Sequence, residues 1–259
     1  LKKPVIIAEN IYLTYIMPDG FKTAMRSIGG VVGKKIFGPH RTYSALKDIS
    51  FTLREGEMLG VIGKNGSGKS TLMQCMAGIF RPTSGVVRSK INPFLLAGVG
   101  TGYSASLTGK ENLMLYGSML GLTEERVNEL MPEMVEFSEL ESFIDEPMKT
   151  YSSGMKARLG ITGLASFKPD VLLIDEVLGV GDPTFKEKSQ KLIMDMIENA
   201  STVMMASQSF NLLKKMCDRI IMLEKGEIVA LGDPSDVIDV FHGRKDPSEV
   251  SPEKRDECE

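Results

Sequence analysis

The octapeptide Gly63-Lys64-Asn65-Gly66-Ser67-Gly68-Lys69-Ser70 fits the spacing G-x-x-x-x-G-K-[ST] at every fixed position. Its chemistry is phosphate binding. The glycines let the backbone wrap closely around a polyphosphate, while consecutive amides and a helix N-terminus supply positive potential. In this pattern Lys69 reaches the terminal phosphates, the Ser70 hydroxyl is a magnesium ligand, and Thr71 adds a contact near the first phosphate. Lys64, Asn65, Gly66 and Ser67 form the body of the loop.

Three further stretches carry groups that suit the same substrate. In Val171-Leu172-Leu173-Ile174-Asp175-Glu176 four apolar residues lead into two acids. Asp175 at the strand end can hold magnesium through water, and Glu176 can polarise a water aimed at a terminal phosphate. In Tyr151-Ser152-Ser153-Gly154-Met155-Lys156-Ala157-Arg158 small residues open a helix, either as a plain Ser N-cap or with unpaired backbone amides as an anion site, and basic Lys156 and Arg158 follow in its first turns. The segment Thr202–Ala206 reads as a buried strand ending in Ser207, Gln208 and Ser209, and open α/β sheets place their chemistry at such carboxyl ends.

These groups need a frame that brings strand ends and helix starts to one edge. Residues 4–15 read as a short strand, and residues 44–62 as two more around Arg54-Glu55-Gly56-Glu57. The phosphate loop and an apolar-periodic helix over about 70–79 follow. Residues 106–168 are helix-rich, with Thr108 and Thr123 as N-caps. Strand 171–174, helix 184–198, strand 202–206, helix 209–217 and a hairpin across Glu224-Lys225-Gly226-Glu227 complete the order. This alternation predicts an α/β protein, with a mostly parallel sheet carrying helices on both faces and interrupted by a helical subdomain. The predicted domain spans 1–243. It contains a basic, glycine-rich insertion at 17–42, read as a solvated loop or a short amphipathic surface helix, and the tail 244–259 is charged with little to bury.

Composition narrows the classes. The chain has 259 residues, 42% of them hydrophobic, enough for a core. Its 31 basic and 34 acidic residues give a net charge of −3, so no global basic field draws it to nucleic acid. Three cysteines and two histidines show neither a disulfide framework nor zinc-ligand spacing. No run approaches the roughly 18 apolar residues of a membrane span, and the amino terminus has too short an apolar core for a secretory signal. A cytoplasmic protein is expected.

Over about residues 4–241, the order of phosphate loop, Tyr151–Met155 motif and acidic strand resembles that of the ATP-binding cassette (ABC) ATPases. The family's signature, usually LSGGQ, is matched at Ser152 and Gly154, with Tyr151, Ser153 and Met155 as departures. More narrowly the chain is similar to the subfamily that exports teichoic acids, O-antigens and capsular polysaccharides. That likeness rests on the 17–42 insertion, Leu107-Thr108-Gly109-Lys110-Glu111-Asn112-Leu113, Lys149–Gly160 and the 175–182 stretch DEVLGVGD. Because the chain ends near 259 without a carbohydrate-binding extension, its shape is most similar to the teichoic-acid exporters.

The resemblance implies a P-loop NTPase of ABC type with an antiparallel β subdomain and an inserted helical subdomain. It implies ATP and Mg2+ as ligands, and hydrolysis that drives export of a lipid-linked glycopolymer. Two copies would pair head to tail at the cytoplasmic face of the membrane, beside a separate polytopic permease. ATP would lie between the phosphate loop of one copy and Ser152, Ser153, Gly154 and Met155 of the other, with Asp182 in the inter-subunit loop. Tyr15 matches the aromatic that stacks on adenine; a strand-end packing role competes, and Tyr43 is the alternative stacker. The runner-up function is an ABC-type ATPase without a channel, acting in interaction or signalling. Relatives of that kind usually show two cassettes or a long coiled-coil insertion, and this chain has neither.

Beyond the signature, two further positions depart from the family pattern. The glutamine expected after the strand that follows the Ser84-Gly85 turn is missing from the glycine-rich stretch at 93–109, which places partner contact around Gly98 to Ser106. The histidine expected after the strand at 202–206 is Gln208, either an introduced substitution or a natural variant compensated elsewhere. An amide can donate to a phosphate oxygen but does not titrate near neutral pH. Slower hydrolysis at retained ATP binding is expected.

Overall fold

The computed structural model describes residues 2–17, 41–97, 102–165, 169–175 and 183–250. Two compact units emerge: one from residues 1–55, 59–90 and 209–259, the other from residues 56–58 and 91–208.

In the first unit, β1 (Pro4–Met17) lies between β2 (Arg41–Arg54) and β4 (Ser84–Ser89) in an antiparallel sheet. The strands β1 and β2 run longer than their apolar pattern predicts because they pair with each other to their ends, through Ile16 with Thr42 and Met17 with Arg41. Cross-strand hydrogen bonding, not burial, holds these outer residues; Ile16 is largely exposed. β3 (Met58–Ile62), all but its first residue in this unit, pairs in parallel with β8 (Arg219–Glu224), and β8 turns back antiparallel into β9 (Glu227–Gly232). Both β3 and β8 are mostly buried, as strands covered on two faces must be.

Helix α1 (Lys69–Met76) follows the phosphate loop and stops three residues before the predicted end. Ala77 is its C-cap, and Gly78, in the left-handed region, turns the chain away. Helices α6 (Phe210–Met216) and α7 (Pro234–Phe241) belong to the same unit.

Residues 244–250 correct the expectation that the tail from 244 has little to bury. Val250 is 4% exposed and sits against Gly232, while Lys245 pairs with Asp236 and Arg244 with Asp239 of α7. One apolar side chain near a run of charges suffices to anchor this stretch, and composition averaged over the whole tail conceals it.

The second unit holds parallel strands β5 (Phe94–Ala97), β6 (Val171–Asp175) and β7 (Thr202–Ala206), with α2 (Gly109–Met119), α3 (Glu124–Ser138), α4 (Ser153–Ala165) and α5 (Pro183–Asn199). Leu113, Val127, Met131, Met134, Tyr151 and Leu159 form the core of its helical part. The Leu107–Leu113 segment is explained by its local bonds. Thr108 and Glu111 exchange hydrogen bonds as a capping box at the start of α2. Asn112, fully buried, accepts from the Ser104 amide and donates to the carbonyls of Ser104, Leu107 and Thr108. A buried amide with both ends satisfied holds a turn that lacks regular backbone pairing.

Candidate nucleotide site

The phosphate loop connects β3 to α1, and its shape follows from close backbone approach. A Cβ on Gly68 would lie 2.8 Å from the Ala45 carbonyl oxygen, and the residue sits at φ 109, so glycine alone fits without strain. The Ser67 amide donates to the Lys64 carbonyl, closing the turn, and the Leu72 amide bonds to Gly68 as the helix begins. Lys69, 8% exposed, donates from Nζ to the carbonyls of Gly63 (2.9 Å) and Lys64 (3.3 Å). Two neutral carbonyls hold the ammonium without cancelling its charge, which leaves the loop electropositive. Ser67 Oγ is buried without a hydrogen-bond partner, and Ser70 is exposed in the first turn of α1. Together these groups fit a polyphosphate carrying a divalent cation.

Tyr15 and Tyr43 are direct register partners on β1 and β2, so their side chains share a face. Tyr15 packs edge-on against Phe80 at 5.9 Å between centroids, and its hydroxyl lies 3.5 Å from Thr71 Oγ1. Tyr43 is 48% exposed. The two sequence alternatives therefore belong to one aromatic platform, with Tyr15 tied to the helix that carries the phosphate loop. Phe80 escaped the sequence reading because nothing in Ile79-Phe80-Arg81 distinguishes it from a helix-end apolar residue.

In the second unit, Asp175 closes β6 beside Ala206 of β7, its register partner. Gln208 follows two residues later, exposed, and Ser207 is buried. The acid and the amide thus leave the same edge of the parallel strands. Glu176 and Asp182 lie outside the described residues, as do residues 98–101 of the expected partner-contact stretch and most of the 17–42 insertion.

At the start of α4, the Ser152 hydroxyl accepts from the Met155 amide, an N-cap bond that orders the first turn. Ser152 and Ser153 are exposed. Tyr151, in place of the family's leucine, is buried and donates its hydroxyl to the Phe143 carbonyl at 2.6 Å. Met155 packs on the helical core. Both departures serve the anchoring of the helix start.

Burial raises two of the titrating groups without help from a neighbouring charge. It pushes the Cys75 thiol of α1 up to about 11 and the Tyr116 phenol up to about 12. Tyr103 is also raised by burial and by Tyr116, and its hydroxyl donates to the Leu159 carbonyl.

A glycine-rich loop between a parallel strand and a helix, with a buried lysine folded over it, defines a P-loop nucleotide-binding protein. The family model described as ABC transporter matches residues 46–179, and the chain belongs to that family.

Among its relatives, the "Teichoic acids export ATP-binding protein TagH" of Lactococcus lactis is 43% identical over 76% of this chain and 42% of its own length. The "O-antigen export system ATP-binding protein RfbB" of Klebsiella pneumoniae is 38% identical over 83% of this chain and 90% of its own. The chain thus spans less than half of the first protein and nearly all of the second. Two solved structures share the fold. "Structure of ATP binding subunit of ABC transporter" superposes with a TM-score of 0.65 at 20% identity, covering 95% of this chain and 97% of that one. The dimeric ATP-binding cassette MJ0796 bound to ADP and Pi gives 0.63 at 21%, covering 88% and 98%. The fold is accordingly that of an ATP-binding cassette. Among the described residues, no helix is long and apolar enough to cross a membrane.

Proposed function

We propose that the chain is the ATP-binding and ATP-hydrolysing subunit of an exporter of a lipid-linked cell-surface glycopolymer, such as teichoic acid, O-antigen or capsule. The observation that carries this reading is the phosphate loop with its buried Lys69, in a chain that aligns over nearly the full length of an O-antigen export protein. The substrate class is supported by the names of the relatives, which are teichoic-acid and O-antigen export proteins.

In this reading Gly63, Lys64, Asn65, Gly66, Ser67, Gly68 and Thr71 cradle the phosphates, and Lys69 neutralises the terminal ones. Ser70 and Asp175 would hold magnesium, which supplies charge neutralisation on the phosphates when bound. Glu176 orients and polarises the attacking water, Gln208 donates to a terminal phosphate oxygen, and Tyr15 stacks on the base. Ser152, Ser153, Gly154 and Met155 contact the nucleotide held by a second copy, paired head to tail, with Asp182 at the junction. Because ATP bound between two copies favours the closed pair and its products do not, hydrolysis reopens it. A polytopic permease converts that cycle into polymer movement, with this subunit peripheral at the cytoplasmic face.

The test is recovery of the tagged protein from a detergent extract of its native cells. A polytopic membrane protein should co-purify and stimulate ATP turnover; a protein that purifies without one and hydrolyses no ATP overturns the reading.

A further inference from the structure

Glu139 stands where a helix normally ends in glycine. It is the C-cap of α3 with φ 56, a left-handed conformation that glycine and asparagine adopt more readily. Its carboxylate bridges two cations from two other helices: Oε2 accepts from Arg158 of α4 at 2.9 Å, and Oε1 accepts from Lys188 of α5 at 3.1 Å. Each cation is also fixed by a second set of contacts. Lys188 donates to the Phe137 carbonyl at 2.8 Å and sits 4.7 Å from the centre of the Phe137 ring. Arg158 lies 5.3 Å over the Phe185 ring, which itself packs edge-on against Phe137. Phe185 is fully buried.

An exposed ion pair contributes little on its own. Here the Arg158 side chain is only 19% exposed, and aromatic faces hold both cations in place, so the carboxylate meets partners already oriented for it. Arg158 is the sixth residue of α4 and Lys188 the sixth of α5. The bridge therefore meets each helix about one and a half turns from its N-terminus.

We propose that Glu139 is a positioning residue that ties the opening turns of α4 to those of α5, so that both present themselves to a second subunit as one body. The functional part rests on the reading above, in which the start of α4 completes a partner's ATP site and α5 begins one residue after Asp182. A capping role alone would favour glycine at this position; the glutamate adds the carboxylate that meets both cations.

The test uses the full chain with E139G and E139Q. Glycine suits the backbone, so E139G should keep or raise Tm. It should lower kcat for ATP roughly five-fold or more at a KM within about two-fold of the parent, the pattern of a lost interaction outside ground-state binding. Hydrogen exchange should accelerate in the first two turns of both α4 and α5. E139Q, which keeps the side-chain shape, should fold like the parent and show an intermediate loss. Parent-like protection of both helix starts in either folded variant overturns the clamp, and parent-like kcat in E139G overturns its role in turnover. If the parent itself hydrolyses no ATP, the functional reading fails, while unchanged exchange in α4 and α5 still overturns the clamp by itself.

Discussion

The Lys69 ammonium lies 2.9 Å from the Gly63 carbonyl oxygen, six residues earlier in the same loop. The lysine thereby braces the loop from inside and keeps its charge at the centre of the curve. Replacing it by methionine preserves the stem but removes both bonds and the charge. Lys69→Met should cut ATP turnover by about 10²- to 10³-fold, the cost of deleting one preorganised electrostatic contact to the reacting phosphates. Its circular dichroism should match the parent. Steady-state hydrolysis measured beside isothermal titration with ATP checks both parts; turnover within a few-fold of the parent would remove Lys69 from the machinery.

The pairing of Tyr15 with Tyr43 separates two sequence candidates by their surroundings. Tyr15 is fixed by Phe80 and reaches Thr71 on α1, whereas Tyr43 is half exposed. A base stacked on Tyr15 would therefore meet a ring that is already immobilised, which lowers the entropy lost on binding. Tyr15→Ala should weaken ATP roughly ten-fold, in the range of about 1–3 kcal/mol for stacking a base. Tyr15→Phe should bind nearly as the parent does, and Tyr43→Ala should cost less than Tyr15→Ala. Equilibrium titration with a fluorescent ATP analogue ranks the three, and a larger loss for Tyr43→Ala would exchange their roles.

The phosphate loop and the strands ending at Asp175 and Ala206 were legible in the sequence because their signals are local. Glycine spacing dictates one loop, and an apolar run that stops at an acid dictates a strand end. The platform under Tyr15 was half legible, since Phe80 joins it from the turn beyond α1 with no pattern of its own. The Glu139 bridge was not legible at all. Its three members are separated by 19 and 49 residues from Glu139 to Arg158 and Lys188; Glu139 and Lys188 carry no pattern of their own, and Arg158 reads only as a basic residue behind the helix opening at Ser152. The end of α1 was overestimated because apolar periodicity continues through Ile79 and Phe80, while the turn at Gly78 depends on a backbone conformation that periodicity does not report.

Gly226, in the turn between β8 and β9, ties the phosphate loop to β2. Its amide donates to the Ser67 carbonyl at 2.9 Å, and its own carbonyl accepts from the Lys47 amide at 2.8 Å. A Cβ there would lie 2.5 Å from the Ala45 carbonyl oxygen at φ 83. Gly226→Ala should thus cost about 2 kcal/mol from the strained backbone conformation and the contact. For a chain of this size that lowers Tm by roughly 4–8 °C. Because one of the displaced bonds belongs to the loop, KM for ATP should rise as well. Lys225→Ala, next to it in the same turn, should leave KM unchanged, so paired thermal melts and KM values distinguish loosening of the loop from general destabilisation.

Gln208 follows Ala206, the register partner of Asp175, and so occupies the edge at which the acid ends its strand. An imidazole in this place offers two nitrogens at fixed angles, one donating to a phosphate oxygen while the other accepts from water, whereas the glutamine amide adds a torsion and loses that alignment. Gln208→His should raise kcat by about an order of magnitude or more, equivalent to roughly 1.4 kcal/mol of transition-state stabilisation, with ATP affinity little changed. Only the neutral ring can both donate and accept. The gain should therefore shrink as pH falls below about 6.5, where an unperturbed histidine becomes charged, and the parent should show no such limb from this position. A pH series of kcat for both proteins decides it: an unchanged rate at pH 8 would mean that Gln208 already serves this site as well as histidine could.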